Sequence, residues 1–124
     1  MNILPKIIKN DDQIRYQQAK QKLKRRHAKL GAQVFGPVPK GHERQFFCLD
    51  KYSWVWYEGW KDSYGNKQSL TTRYDIRPNG IFKVQNGGGY QRLTNAEIKN
   101  LCEATDRYVE LINKDYQASF SFQA

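Results

Sequence analysis

The spacing of hydrophobic and polar positions changes twice along the chain. Residues 10–30 are polar nearly all round: Tyr16, Ala19, Leu23 and Leu30 make a thin apolar stripe among Gln, Lys and Arg, and Ile14 falls outside it. With Asn10, Asp11 or Asp12 as N-cap and Gly31 as stop, this predicts a helix to about Leu30 that gains little from core packing. Pro5 disfavours a regular helix over residues 1–10, which read as a flexible arm. From Gln45 the period becomes two, predicting strands over 45–50, 54–62, 68–77 and 81–85, with a short fifth over 90–93. Turns fall at Asp50–Ser53, Ser63–Asn66, Pro78-Asn79-Gly80 and Asn86–Gly89. At Thr94 the helical period returns. Thr94 and Glu97 fit a capping box, and Ile98, Leu101, Cys102, Thr105, Val109, Ile112 and Tyr116 form an apolar stripe. Residues 118–124 alternate and predict a terminal edge strand.

These elements predict an α+β fold: a basic N-terminal helix, a four- or five-stranded antiparallel β-meander, and a C-terminal amphipathic helix packed on one sheet face. The division is a basic arm (1–30), a Gly/Pro linker (31–44) anchored by Val34 and Phe35, and a meander-plus-helix domain (45–124). The stretch 46–60 holds all three tryptophans. Trp54, Trp56, Glu58 and Trp60 share one face of their strand, and Val55, Tyr57 and Gly59 the other. Both faces carry large groups, so the pattern leaves open which one the helix covers.

Composition adds a direction to this outline. The 124 residues suit one domain, and a 14% aromatic content argues against disorder. The net charge of +9 is unevenly placed: residues 1–45 carry eleven Lys/Arg against three acids, a net +8, and residues 46–124 carry ten against nine. Such asymmetry points to an anionic partner: nucleic acid, an acidic protein or an acidic membrane surface. The N-terminal residues do not form a signal peptide and no segment is a membrane span, so a cytoplasmic location is expected. Cys48 and Cys102 have no metal-ligand spacing and read as buried reduced thiols. No metal or cofactor is expected.

Two constellations carry candidate chemistry. Lys20, Lys22, Lys24, Arg25, Arg26 and Lys29 can neutralise phosphates without reading bases. On the sheet, Trp54, Trp56, Trp60, Tyr74 and Tyr90 are candidates for stacking bases, beside Arg73, Arg77, Lys83 and Arg92 for the backbone. At least two of the tryptophans are expected in the core, because a domain this small needs their burial. Glu58 is expected to pair with Arg73 or Arg77 across the hairpin. An enzyme would have to combine Glu58, Asp75, His42 and Cys48, and no motif sets these in reach, so a non-enzymatic role is expected. Three readings follow: a binder of single-stranded DNA or RNA with weak sequence preference; a protein-interaction module, as homodimer or adaptor; and a peripheral membrane adaptor held by the arm.

The run Phe46-Phe47-Cys48-Leu49-Asp50, Trp54-Val55-Trp56, Trp60 and Thr72-Arg73-Tyr74-Asp75-Ile76-Arg77-Pro78-Asn79-Gly80 resembles small proteins of reduced-genome bacteria of the candidate phyla, over residues 34–117. That resemblance brings no activity with it. Four strands and a helix after a basic arm are also similar, in topology, to the whirly, PUR and positive-coactivator group of transcription proteins. That likeness implies a dimer whose sheet binds single-stranded nucleic acid.

Overall fold

The strands are fixed by their turns. The computed structural model describes the backbone of residues 3–123 and the side chains of residues 11–119. After helix α1 (Ile3–Gly31) come β1 (Glu43–Asp50), β2 (Ser53–Lys61), β3 (Lys67–Arg77), β4 (Gly80–Gln85) and β5 (Gln91–Arg92), then helix α2 (Asn95–Gln123). Between β1 and β2 the Asp50 carboxylate accepts the Tyr52 N–H at 2.9 Å. Between β2 and β3 the Asp62 carboxylate accepts the N–H groups of Asn66 and Tyr64, each at 2.9 Å. These bonds, with that from Gln68, hold its carboxyl below the usual range against a smaller effect of burial. After β4, Asn86 (φ 49°) and Gly87 (φ 71°) turn in the left-handed region, and the Asn86 side chain accepts the Thr71 N–H.

The result is a five-stranded antiparallel meander in chain order, and the fold is α+β. Its register sets Trp54 opposite Tyr74 and Trp56 opposite Thr72. Asp75 lies opposite Phe82, and Ile76 opposite Ile81.

α2 starts at the capping box read from the sequence. Thr94 donates its N–H to the Glu97 carboxylate at 3.1 Å, and Glu97 donates its N–H to the Thr94 hydroxyl at 3.2 Å. The buried line of the helix is Leu101, Ala104 and Tyr108, packed with Val34, Phe46 and Leu93. The predicted stripe is therefore rotated. Cys102 and Val109 lie outside the contact, and Ala104 and Tyr108 form its centre. Both cysteines are free and exposed, against the expectation of burial: Cys48 sits near the end of edge strand β1, and Cys102 on the flank of α2. The terminal edge strand also fails, because α2 continues through Gln123, with Ala124 outside the described residues.

The tryptophan face is the one α2 covers. Trp54 stacks on Phe46 with centroids 5.3 Å apart, and Tyr108 meets both rings edge-on, at 5.1 Å from Trp54 and 6.0 Å from Phe46. Phe35 stacks on Trp56 at 4.3 Å, which gives the expected anchoring of residues 34–35 a partner.

α1 begins at Ile3, earlier than the acidic cap suggested. Pro5 falls in the first turn, where no intrahelical N–H is needed, and Asp11 and Asp12 lie inside the helix. Of the predicted flexible arm, Met1 and Asn2 lie outside the described residues. Residues 11–26 are exposed, whereas Ala28, Gly31, Ala32 and Val34 are buried. Arg26 makes a bidentate bond to Asp115 of α2, and Arg107 donates to the Val34 carbonyl at 3.0 Å. The two helices therefore run antiparallel at this end, and the C-terminal part of α1 is attached to the sheet-and-helix unit. Gly31 ends the helix as predicted, but for a different reason. It has no left-handed φ; a Cβ there would collide with the Phe46 carbonyl of β1 and crowd Tyr108. Glycine lets the helix end abut the edge strand. Among the described residues no helix is long and apolar enough to cross a membrane.

Gly31→Val is expected to push α1 off β1 and to lower stability by about 1–3 kcal/mol, as overpacking does. The change would appear as a lower midpoint in urea unfolding followed by tryptophan fluorescence. Thr94→Ala, which removes one half of the capping box, is expected to cost about 1 kcal/mol in the same assay.

Candidate functional site

Strand β3 alternates between the two sides of the sheet. Leu70, Thr72 and Tyr74 lie with the tryptophans, and Ser69, Thr71, Arg73, Asp75 and Arg77 point away from α2. The Pro78-Asn79 turn brings Phe82 opposite Asp75, and β5 brings Arg92 opposite Phe82. Three arginines and two aromatic rings are thereby gathered on the side away from α2.

Asp75 organises them. Its two carboxylate oxygens accept from Arg73 at 3.0 and 3.2 Å, and Oδ1 accepts from the Ser53 hydroxyl at 3.1 Å. Arg77 lies 3.6 Å from the same carboxylate. Arg73 also donates to the Tyr90 hydroxyl at 2.9 Å. The Arg77 guanidinium sits 4.4 Å above the Tyr90 ring and 5.5 Å from that of Phe82. Arg92 lies 5.0 Å over Phe82 and donates to the Asn79 carbonyl, tying β5 to the turn. A guanidinium over a ring face is held by cation–π attraction while N–H groups stay in water. Arg73 and Arg77 keep about two-fifths of their side-chain surface exposed.

The sequence candidates separate under this geometry. Arg73 and Arg77 meet here, joined by Tyr90 and Arg92. Trp54 and Trp56 do not: they lie on the opposite side, Trp54 against Phe46 and Tyr108 and Trp56 against Phe35. Tyr74 belongs to the same packed side, and burial, with a smaller effect of Glu97, raises its hydroxyl pKa. Lys83 also faces α2, where it pairs with Glu97. Trp60 is half-buried and stacks on His42 at 6.1 Å. In α1, Lys20, Lys22, Lys24, Arg25 and Lys29 are exposed, and Arg26 is engaged by Asp115. Phe82 was missed from the sequence, although a two-residue turn at Pro78-Asn79 already sets it opposite Asp75.

Glu58 does not pair with Arg73 or Arg77, which lie on the other face. Its partners come from β1 and the segment before it: Arg44 at 2.9 Å and His42 Nδ1 at 3.1 Å. Burial works to raise the Glu58 carboxyl, but the hydrogen bonds from Arg44 and His42 outweigh it and hold the group below the usual carboxylate range. Asp75 is on the opposite face and Cys48 four residues along β1, so the four candidate catalytic groups do not converge. Among the described residues no His/Cys/Asp/Glu group is arranged to hold a metal ion.

Two further hollows flank the sheet. One of about 450 Å³ lies between α2 and the covered face, walled by Phe35, Trp56 and Tyr74 and by the Lys83–Glu97 pair. The other, about 210 Å³, lies between α1 and β1. Compared with known proteins, the chain has no significant match to a protein-family model, a curated protein or a solved structure.

The depressed Glu58 carboxyl gives a pH-dependent expectation. Its stabilisation is present above the unfolded carboxylate range and is lost as pH falls through the lower folded value. The stability gap between the wild type and Glu58→Gln is therefore expected to be full at neutral pH and to close below about pH 4. Urea titrations at several pH values measure it.

Proposed function

We propose that this chain is a non-enzymatic binder of single-stranded DNA or RNA with weak sequence preference. It contacts the strand with the arginine face of its sheet, and α1 supplies basic charge beside it. The observation that carries this reading is the set of arginines held over aromatic rings on this face, Arg77 over the exposed Tyr90 and Arg92 over the half-buried Phe82. Bases stack on such rings and on guanidinium planes, and the outward N–H groups meet phosphate oxygens. The stacking surface differs from the one suggested by the tryptophan content, and only the arginine half of the sheet candidates is retained. Lys20, Lys22, Lys24, Arg25 and Lys29 add affinity without sequence information.

A protein-interaction reading, as homodimer or adaptor, has its own support. Leu49, Tyr52 and Ile76 are exposed together at the end of the sheet that holds the β1–β2 turn. A membrane adaptor has less, because among the described residues Ile14, Tyr16 and Leu23 are scattered along α1 and form no broad apolar side.

Fluorescence polarisation with a labelled oligothymidylate about ten nucleotides long tests the nucleic-acid reading. Binding is expected at low salt, weakening linearly on a log–log salt plot. Removing one phosphate-contacting cation is expected to flatten the slope by about 0.7. Arg77→Ala together with Tyr90→Ala is expected to weaken binding about tenfold or more with the fold intact. No binding at low salt would rule the reading out. A self-association constant in the micromolar range, abolished by Leu49→Glu, would support the interaction module instead.

A further inference from the structure

The hollow between α1 and β1 has a composition of its own. The basic residues of α1 divide around the helix: Arg26 turns to Asp115 on α2, while Lys24 and Arg25 turn the other way and overlook β1. Below them lie Ala28, Phe47 and Leu49, which make an apolar floor. Gln21 and Gln45 stand at the walls. No acid lines the hollow. Phe47 belongs to the same sheet face as Arg73, because Phe47 is opposite Val55 and Val55 is opposite Arg73; Leu49, at the register shift after Cys48, lines a hollow with Arg73 and Arg77. The hollow is thus the α1-side margin of the arginine face.

We infer that this hollow is a subsite for one unstacked nucleotide of a single strand bound across that face. The inference rests on the reading given above. An apolar floor with an aromatic ring suits a base plane. Side-chain amides present a donor and an acceptor each, which can meet any base edge. Lys24 and Arg25 then lie where the phosphate flanking that base must pass, and the absence of acid leaves their charge uncancelled. An apolar peptide side chain would use the floor, but it would leave both amides and both cations without partners. The amide walls and the cationic rim together favour a nucleotide over an apolar peptide anchor.

Photo-crosslinking of the full chain to an oligothymidylate with a single 4-thiothymidine tests the subsite, paired with polarisation titrations of wild type, Phe47→Leu and Leu49→Glu. Phe47→Leu keeps an apolar side chain and removes the ring; Leu49→Glu places a charge on an already exposed position. The expected result is a crosslink in the peptide containing Gln45–Leu49 and a loss of affinity of about fivefold or more in each variant. An abasic residue at the crosslinking position should remove the difference between wild type and variants. If the oligonucleotide binds wild type and both variants equally, and crosslinks fall only in β3–β5, the subsite is wrong while the arginine-face reading stands. If wild type does not bind the oligonucleotide at all, both fail. Displacement of the bound oligonucleotide by an acidic, apolar peptide that crosslinks to Phe47 would assign the hollow to a protein partner and overturn the proposal.

Discussion

The contact of Tyr108 with Phe46 and Trp54 decides the rest of this structure. It is where α2, β1 and β2 meet, and the buried end of α1 closes on it, because Gly31 abuts the Phe46 carbonyl and Tyr108. Among the described residues Phe46 is the one large side chain that is fully buried. Aromatic burial of this kind supplies much of the stabilisation open to a small domain. Once the tryptophan side is committed to α2, the alternation of every strand commits the opposite side to solvent. The arginine face is therefore a consequence of the core and not a separate design.

That outward face would be costly if its charges were loose or its rings bare. Asp75 and Ser53 resolve the first problem, giving Arg73 two directed bonds and Arg77 a nearby counter-charge. The second is met by the guanidiniums, which lie over Tyr90 and Phe82 and shield apolar surface while staying hydrated. Val55 is buried on this same side, between Phe47 on β1 and Arg73 on β3. The surface is thus ordered by its own contacts.

Strand number, turn positions and the capping box were legible in the sequence because each is written in local chemistry: Asn86 and Gly87 for a left-handed turn, Thr94 and Glu97 for a cap. The faces were not legible from β2 alone, since both of its sides carry large groups. They could be read from β3. Its Arg73, Asp75 and Arg77 mark a solvent side, and pairing carries that side to Val55 and Tyr57, leaving the tryptophans inside. The partner of Glu58 was misplaced for the same reason: it lies on the buried side, where β1 supplies Arg44, and not on the side of Arg73. The exposed cysteines and the rotated stripe of α2 reflect tertiary choice. Ala104 and Tyr108 fit the aromatic floor more closely than Cys102 and Val109, and helical periodicity alone does not distinguish those settings. Nor does it show that Arg26 belongs to α2 while its neighbour Arg25 faces β1.

The near-neutrality of residues 46–124 conceals an uneven distribution. α2 carries five acids against three cations, and residues 46–94 carry seven cations against four acids. The acids gather on the helix behind the sheet, so the arginine face and acidic α2 lie on opposite sides of the domain, while basic α1 sits at the β1 edge and pairs with α2 through Arg26. A field of that shape orients an approaching polyanion toward the arginine face and discourages contact with the α2 side. Asp75 fits the same distribution. A single carboxylate among three arginines leaves the cluster net positive, while it bonds Arg73 and sits 3.6 Å from Arg77. Ordering the cations with one acid retains the attraction for phosphate that a fully paired set of salt bridges would cancel.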